Sequence, residues 1–325
     1  MRIRPILVLV WALCLTRIAQ GETFATPNFV AHAPDASVAK KVALTAEYFR
    51  KILAVEWTGS ELPQWGQPCP IQVTVGTMGA SGSTTFTFDG GEVHSWDMRV
   101  RGSLERILDS VIPHEVCHTI FATKFRRPLP RWADEGAATL VEHPSERLRQ
   151  VDLLARVFGR GQQMPLKTLF EIREYPSSPD SLYTLYAEGY SLAEFLVLKT
   201  GAEGKRVYLD FLGSALADGW DNALKEHYGY KSIRELEVDW GKWVIAGSPN
   251  LPRNEAYALN GAKAKATSPD SSVVIRGQTP KALAPLAMIT RPLRVVAKEE
   301  IEAPEPGETE TARGIQLRLP MSRSR

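Results

Sequence analysis

Alternating apolar and polar positions indicate β-strands in the first third of the chain. Strands are expected at 24–32, 71–75, 84–88 and 92–100. The triplet Asp89-Gly90-Gly91 separates the last two segments and favours a tight turn, which predicts a β-hairpin. On the second strand of that hairpin, alternation places His94 on the same apolar face as Trp96. We therefore expect His94 to be a structural core residue.

Helical periodicity occurs on both sides of these strands. Apolar residues recur on one face from Val38 to Leu53, which predicts a helix that begins at Ser37. After Gly102 the period becomes helical and remains so for the rest of the patterned region. Helices are expected near 103–124, 132–143, 145–158, 181–200, 204–216 and 232–246.

The order of these elements predicts an α+β fold. A small β-rich N-terminal lobe over 22–101 is followed by a mostly helical lobe over 102–248. The first helix of the helical lobe contains Pro113. Because proline has no backbone N–H, this helix is expected to kink or to restart just before His114.

The first 21 residues have the features of a secretory signal peptide. Arg2 and Arg4 precede an apolar run over 6–15, and the small residues Ala19 and Gly21 follow it. The run is shorter than a membrane span requires. We therefore expect cleavage after Gly21, a secreted or periplasmic location, and no stable membrane insertion of the mature chain.

The end of the chain has a different character. Beyond 249 prolines recur, no long periodic pattern is present, and acidic residues cluster over 299–310. Such a composition cannot bury enough apolar surface to form a core. We expect 249–325 to be a disordered tail.

Overall composition narrows the functional classes. The chain is 44% hydrophobic and 23% charged with a net charge of +2, which is typical of a globular protein and gives no indication of nucleic-acid binding. Signal cleavage would leave Cys69 and Cys117, too few for a disulfide scaffold. Two buried free thiols are favoured over a bridge between them.

One five-residue segment carries metal-binding chemistry. It reads His114-Glu115-Val116-Cys117-His118 and lies in the helix expected at 103–124. Residues four apart lie on the same helix face, so both imidazoles can reach one metal ion. Glu115 lies beside that face, where a carboxylate can act as a general base on water.

A third ligand is available 17 residues after the second histidine. Glu135 belongs to the segment Trp132-Ala133-Asp134-Glu135-Gly136, which begins the next expected helix. Small residues after it would let the two helices approach closely. Two histidines and one glutamate form a ligand set that catalytic Zn²⁺ uses.

These two segments together resemble the gluzincin zinc metallopeptidases, the clan of thermolysin and aminopeptidase N, and within it the peptidase MA-like domains. The resemblance implies a zincin-like fold with 103–124 as the active-site helix. It implies one Zn²⁺ bound by His114, His118 and Glu135, with Glu115 as general base. Asp134 would bond to a ligand histidine and orient its imidazole.

A downstream segment extends the resemblance. Tyr186-Ala187-Glu188-Gly189 is similar to the Tyr-x-x-Gly segment of aminopeptidase N-type enzymes, in which the tyrosine stabilises the oxyanion. Tyr186 is therefore the candidate for that role, and Tyr190 is the next. The clan also implies that strand 92–100 could pair with an extended peptide substrate.

The sequence also departs from the clan in three ways. The interval from His118 to Glu135 is slightly shorter than in thermolysin or aminopeptidase N, and no Gly-x-Met-Glu-Asn exopeptidase segment is present. Thr139 stands where thermolysin-like enzymes have an outer aspartate, and His143, two turns past Glu135, is expected to be structural. Endopeptidase and exopeptidase activity both remain open.

The hypothesis from sequence is a secreted zinc metallopeptidase that hydrolyses peptide or protein substrates with a metal-activated water. The alternative is a non-catalytic, zinc-containing extracytoplasmic binding domain, which would need the ligands but neither Glu115 nor Tyr186. Substrate identity and oligomeric state have no signature in the sequence.

Overall fold

The computed structural model describes residues 21–249 of the protein. The expected signal peptide over 1–21 and the expected tail over 249–325 lie outside these residues except for Gly21 and Pro249. Within them the protein has an α+β fold, with a five-stranded sheet near the N-terminus and a mostly helical remainder. No helix in the described range is both long and apolar enough to cross a membrane.

The sheet contains parallel strands in its centre and antiparallel strands at both edges. Its strands are β1 (Glu22–Ala25), β2 (Phe29–Ala33), β3 (Cys69–Val75), β4 (Ser81–Asp89) and β5 (Glu92–Gly102). Their order is β1-β2-β3-β5-β4. The β2–β3 and β3–β5 pairs are parallel, whereas β1 and β4 run antiparallel to their neighbours.

The prediction of a single strand over 24–32 is wrong. The segment forms two antiparallel strands, β1 and β2, joined by a tight turn. Pro27 lies in this turn and has no N–H for a ladder, and the N–H of Thr26 donates to the carbonyl of Phe29 at 2.8 Å. The chain therefore reverses where alternation alone suggested continuity.

Strand 92–100, which the resemblance implied could pair with an extended substrate, is not an edge strand. This segment is β5, which lies between β3 and β4, so the edge strand on that side is β4. The hairpin signal at Asp89-Gly90-Gly91 correctly joins the two strands. A local turn signal cannot indicate which hairpin strand pairs with the rest of the sheet, because that choice depends on long-range contacts.

His94 is exposed and is not the core residue that alternation predicted. The β4–β5 register shifts between Thr85 and Thr87, and Ser95 has a positive φ of 58°. This β-bulge adds one residue to β5 and reverses the side on which the preceding residues point. Trp96 and the apolar residues after it face the core as expected.

Ten helices accompany the sheet within 21–249. They are α1 (Ala36–Thr58), α2 (Leu104–Arg106), α3 (Ile112–Phe125), α4 (Arg131–Thr139), α5 (Pro144–Gly159), α6 (Leu166–Glu171), α7 (Pro179–Lys199), α8 (Gly204–Asp218), α9 (Trp220–Tyr228) and α10 (Ile233–Ile245). The first is α1, which follows an N-cap at Asp35 and ends at Gly59 with φ 83°. The short helices α6 and α9 were not predicted, because each shows less than three turns of periodicity.

The helix expected at 103–124 is interrupted just before the histidine motif. A π-helical turn, Ile107–Val111, separates α2 from α3, and Pro113 is the second residue of α3. Proline has no N–H and its ring crowds the carbonyl four residues earlier, so a wider turn there relieves both problems. The predicted restart before His114 agrees with this break. The helix expected at 132–143 is too long, since α4 ends at Thr139.

Helices α4 and α7 approach closely at a pair of glycines. A Cβ added to Gly136 would lie 2.1 Å from the carbonyl oxygen of Gly189. A Cβ added to Gly189 would lie 2.8 Å from the carbonyl oxygen of Trp132. Only glycine allows the backbones of α4 and α7 to lie this close together. The residues next to Gly136 and Gly189 are therefore close to each other as well.

This contact predicts an unequal response to alanine at two helical glycines. Gly136→Ala should lower the free energy of unfolding by about 3 kcal/mol, because the added methyl overlaps a backbone carbonyl. Gly241→Ala in α10 is the matched control, since nothing lies within 4 Å of its added Cβ. The control should gain about 0.5–1 kcal/mol from helix propensity. Urea denaturation of both variants measures the difference, and equal midpoints would contradict the close approach.

Candidate metal centre

The two histidines of the motif lie one turn apart on α3 and face each other. Their ring centroids are 4.8 Å apart at an interplanar angle of 74°. Both side chains are buried, on a helix whose residues from Ile112 to Ala122 are all buried. The i, i+4 spacing read from the sequence therefore produces the expected shared face.

Glu135 reaches the same point from α4. Its Oε2 lies 3.3 Å from Nε2 of His114 and 3.8 Å from Nε2 of His118. One ligand atom from each of the three residues lies within 4.8 Å of the others, and all three residues are buried. His114, His118 and Glu135 form a group that could hold a metal ion.

The carboxylates beside His114 and His118 favour the imidazole tautomer that can bind a metal ion. Nδ1 of His114 lies 2.6 Å from Oε1 of Glu142, and Nδ1 of His118 lies 3.0 Å from Oδ1 of Asp134. A carboxylate at Nδ1 favours a proton there and leaves the Nε2 lone pair directed toward the cluster. Nε2 of His118 is buried and has no hydrogen-bond partner. Such a buried nitrogen is costly unless a cation or proton satisfies it.

The surrounding charges favour a cation at this point. Burial lowers the pKa of His114, but the carboxylates of Glu135 and Glu142 outweigh it and hold the pKa well above its usual range. Burial raises the pKa of Glu135, but both imidazoles and the Tyr175 hydroxyl outweigh it and lower the pKa. The site therefore attracts positive charge, which protons or a metal ion can supply.

Asp134 and Glu142 occupy equivalent positions around the cluster. The sequence singled out Asp134 for bonding to a ligand histidine, and its oxygen lies beside Nδ1 of His118 as described. Glu142, which bonds to His114, was missed. It lies seven residues after Glu135, just beyond the end of α4, and that two-turn spacing is the signal that could have identified it. Thr139 only bonds back to the carbonyl of Glu135 at 2.9 Å.

Glu115 lies against the edge strand with one oxygen bonded and the other unpartnered. The hydroxyl of Thr84 donates to its Oε2 at 2.6 Å. Its Oε1 is buried and has no hydrogen-bond partner. Burial raises the pKa of this carboxyl above its usual value. A Cβ added to Gly82 would lie 2.3 Å from Oε1, so the strand contacts the carboxylate directly.

Two tyrosines lie beside the cluster, of which the sequence singled out one. Tyr186 on α7 stacks on Tyr175 with ring centroids 6.5 Å apart. Burial and the charge of Glu135 raise the pKa of both hydroxyls, so both remain able to donate. Tyr190, the second candidate for the role of Tyr186, is a core residue whose hydroxyl donates to Glu194 at 2.9 Å.

An open cleft of about 1120 Å³ is lined by one member of the cluster, His114. Glu142 and Tyr186 line it as well. The start of β4, one face of α5 and the start of α7 form its walls. His143 does not join the cluster, because it caps α5, where its Nδ1 accepts from the N–H of Ser145 at 3.3 Å.

The wall of this cleft is anchored by a buried carboxyl of α7. Glu188 accepts a hydrogen bond from the N–H of Met164 at 2.8 Å, and Met164 lines the cleft. Burial raises the pKa of Glu188 to about 8. Two residues of the Tyr-Ala-Glu-Gly segment therefore have structural roles. Gly189 permits α7 to pack against α4, and Glu188 holds the loop that contains Met164.

Cys69 and Cys117 are both free and buried, which confirms the expectation of two thiols rather than a bridge. Burial raises the pKa of both. Cys117 lies between the two histidines in sequence, but it packs into the apolar core. Neither thiol belongs to the metal-ligand group identified among the described residues.

Comparison of the chain with models of protein families, with curated proteins and with solved structures found no match.

The Thr84–Glu115 bond predicts a measurable loss of stability. Thr84→Val removes the donor to a completely buried carboxylate and should lower the free energy of unfolding by about 1–3 kcal/mol. Thr87→Val on the same strand is the control, because Thr87 is only half-buried. Urea denaturation at the same pH compares the two variants. Equal losses would show that the hydroxyl bond adds nothing.

Proposed function

We propose that the protein is a zinc-dependent metallopeptidase with a zincin-like fold. One observation carries the proposal: the buried His114, His118 and Glu135 group lies next to Glu115, whose Oε1 has no hydrogen-bond partner. A carboxylate without a partner beside a cation site is what a general base for water requires. Substrate would bind in the cleft that His114 and Tyr186 line.

The donor set favours zinc over other divalent ions. Two imidazole nitrogens and one carboxylate oxygen suit Zn²⁺, whereas Ca²⁺ and Mg²⁺ prefer oxygen ligands alone. Tetrahedral ligands at zinc distances stand about 3.3 Å apart. Oε2 of Glu135 lies 3.3 Å from Nε2 of His114, which is this value, and 3.8 Å from Nε2 of His118, which is longer. Three protein ligands also correspond to a catalytic rather than a structural site.

The protein's own residues divide the reaction between them. Zinc in this cluster would supply a Lewis acid that lowers the pKa of water and polarises a carbonyl. Glu115 would accept the proton from the attacking water at Oε1 and later pass it to the leaving amine. Tyr186 would donate its hydroxyl hydrogen to the oxygen that becomes negative at the scissile carbon. Asp134 and Glu142 would keep both imidazoles in the ligand tautomer.

The edge strand supports an extended peptide as substrate. The outer side of β4 has no strand partner among residues 21–249, and Ser81 at its start lines the cleft. An extended chain can add to such an edge through backbone hydrogen bonds. We therefore propose that β4, rather than strand 92–100, pairs with an extended peptide substrate. With the expected signal peptide, the substrates would be extracytoplasmic peptides or proteins.

Metal analysis tests the first half of the proposal. Purified protein should contain about one zinc per chain, and His114→Ala should lose it because two ligands rarely hold the ion. His94→Ala is the control, since His94 is exposed and is not among the ligands. Inductively coupled plasma mass spectrometry measures the content. No zinc in the wild type, or equal zinc in both variants, would refute the site.

Peptide cleavage tests the second half. Glu115→Gln should lower the rate about 100- to 10,000-fold while it retains zinc, because the amide cannot accept the proton. Tyr186→Phe should lower it about 100- to 1,000-fold. A peptide library, assayed with and without chelator, measures both. If zinc-loaded wild type cleaves nothing, the non-catalytic binding domain is the better description; if Glu115→Gln cleaves at the wild-type rate, the mechanism fails.

A further inference from the structure

Tyr175 contacts the metal-ligand group although no motif in the sequence marks it. It lies in the loop between α6 and α7, and its hydroxyl donates a hydrogen bond to Oε1 of Glu135. The two residues are 40 positions apart in the chain. The contact therefore depends on the tertiary path of this loop.

The two oxygens of Glu135 have different neighbours. Oε2 is directed toward Nε2 of His114 and Nε2 of His118, at 3.3 and 3.8 Å. Oε1 receives the hydroxyl of Tyr175. The tyrosine thus occupies the oxygen that does not face the imidazoles. With Oε1 bonded in this way, Glu135 can present a single oxygen to a metal ion.

The ring of Tyr175 is held from two sides. The guanidinium of Arg131 lies over it at 4.4 Å from the centroid, and Tyr186 stacks on it. Arg131 is buried and lies one turn before Glu135 on α4. The helix that carries the ligand therefore also carries the group that fixes the ligand's hydrogen-bond donor.

The loop itself is fixed to the start of α4. Nε of Arg131 donates to the carbonyl of Arg173 at 3.0 Å, and its backbone N–H donates to the carbonyl of Ile172 at 3.2 Å. Just before the loop, Phe170 stacks on Trp132 at 4.6 Å with the rings nearly parallel. These contacts leave Tyr175 little freedom to move away from Glu135.

We propose that Tyr175 is a positioning residue that orients Glu135 so that Oε2 binds the metal, and that Arg131 holds Tyr175 in place. The inference rests on the metal site of the proposed function but not on its peptidase chemistry. Outer partners of metal ligands commonly affect affinity about 10- to 100-fold. Zinc affinity is therefore the property that should change.

The test measures zinc affinity by competition with a chromophoric chelator. Tyr175→Phe should bind zinc about 10- to 100-fold more weakly than the wild type. Tyr190→Phe is the matched control, because it removes a hydroxyl that also bonds to a glutamate, the half-buried Glu194, outside the ligand group. Its zinc affinity should equal that of the wild type.

A second variant separates positioning from loss of folding. Arg131→Lys should weaken zinc binding in the same direction but less, and in the Tyr175→Phe background it should add little, because both act through one contact. Circular dichroism of the chelator-treated variants reports whether each is folded. A folded Tyr175→Phe variant with wild-type affinity, or fully additive losses in the double variant, would overturn the inference. Wild-type protein that binds no zinc would instead refute the proposed function.

Discussion

The burial of several carboxylates beside two imidazoles is the constraint on which the rest of the structure depends. Glu115 and Glu135 are completely buried, and carboxylate oxygens of Asp134 and Glu142 lie 3.0 and 2.6 Å from the outer nitrogens of the imidazoles. A buried carboxylate without compensation costs several kcal/mol, so this arrangement needs positive charge close by. The carboxylates raise the pKa of His114, and the imidazoles lower the pKa of Glu135, because each group favours the charged form of the other. A metal cation satisfies it without protons on the Nε2 atoms that would act as ligands.

Close backbone approach is what brings these groups together. The candidate ligands come from α3 and α4, the candidate oxyanion donor comes from α7, and the strand beside Glu115 is β4. At Gly136 and Gly189 the helices α4 and α7 touch through their backbones, and at Gly82 the edge strand touches Glu115. A Cβ added at Gly136, Gly189 or Gly82 would lie 2.1–2.8 Å from an atom of the neighbouring element, so the two elements would have to move apart. Stability and site geometry therefore depend on the same contacts.

The sequence predicted those parts of the site that follow from local geometry. The i, i+4 spacing of the histidines and the position of Glu135 at a helix start needed only the periodicity of two helices, whereas the role of Asp134 came from the family resemblance. Thr84 and Tyr175 could not be predicted, because their partners lie 31 and 40 residues away and depend on strand order and loop path. The same distinction explains the fold: the β4–β5 hairpin was read from a turn, but the identity of the edge strand was not. The bulge at Ser95, which exposed His94, also lacks a local signal.

In both Glu115 and Glu135, a hydroxyl group donates a hydrogen bond to one carboxylate oxygen. In Glu115 the hydroxyl of Thr84 occupies Oε2 and leaves Oε1 without a partner, and in Glu135 the hydroxyl of Tyr175 occupies Oε1 and leaves Oε2 toward the imidazoles. A free carboxylate presents two equivalent oxygens, so a general base or a ligand can rotate between competing contacts. A neutral hydroxyl on one oxygen removes that freedom without neutralising the charge that the site requires. Because the donors come from β4 and from the loop before α7, the geometry of both carboxylates depends on parts of the protein that carry none of the candidate metal ligands.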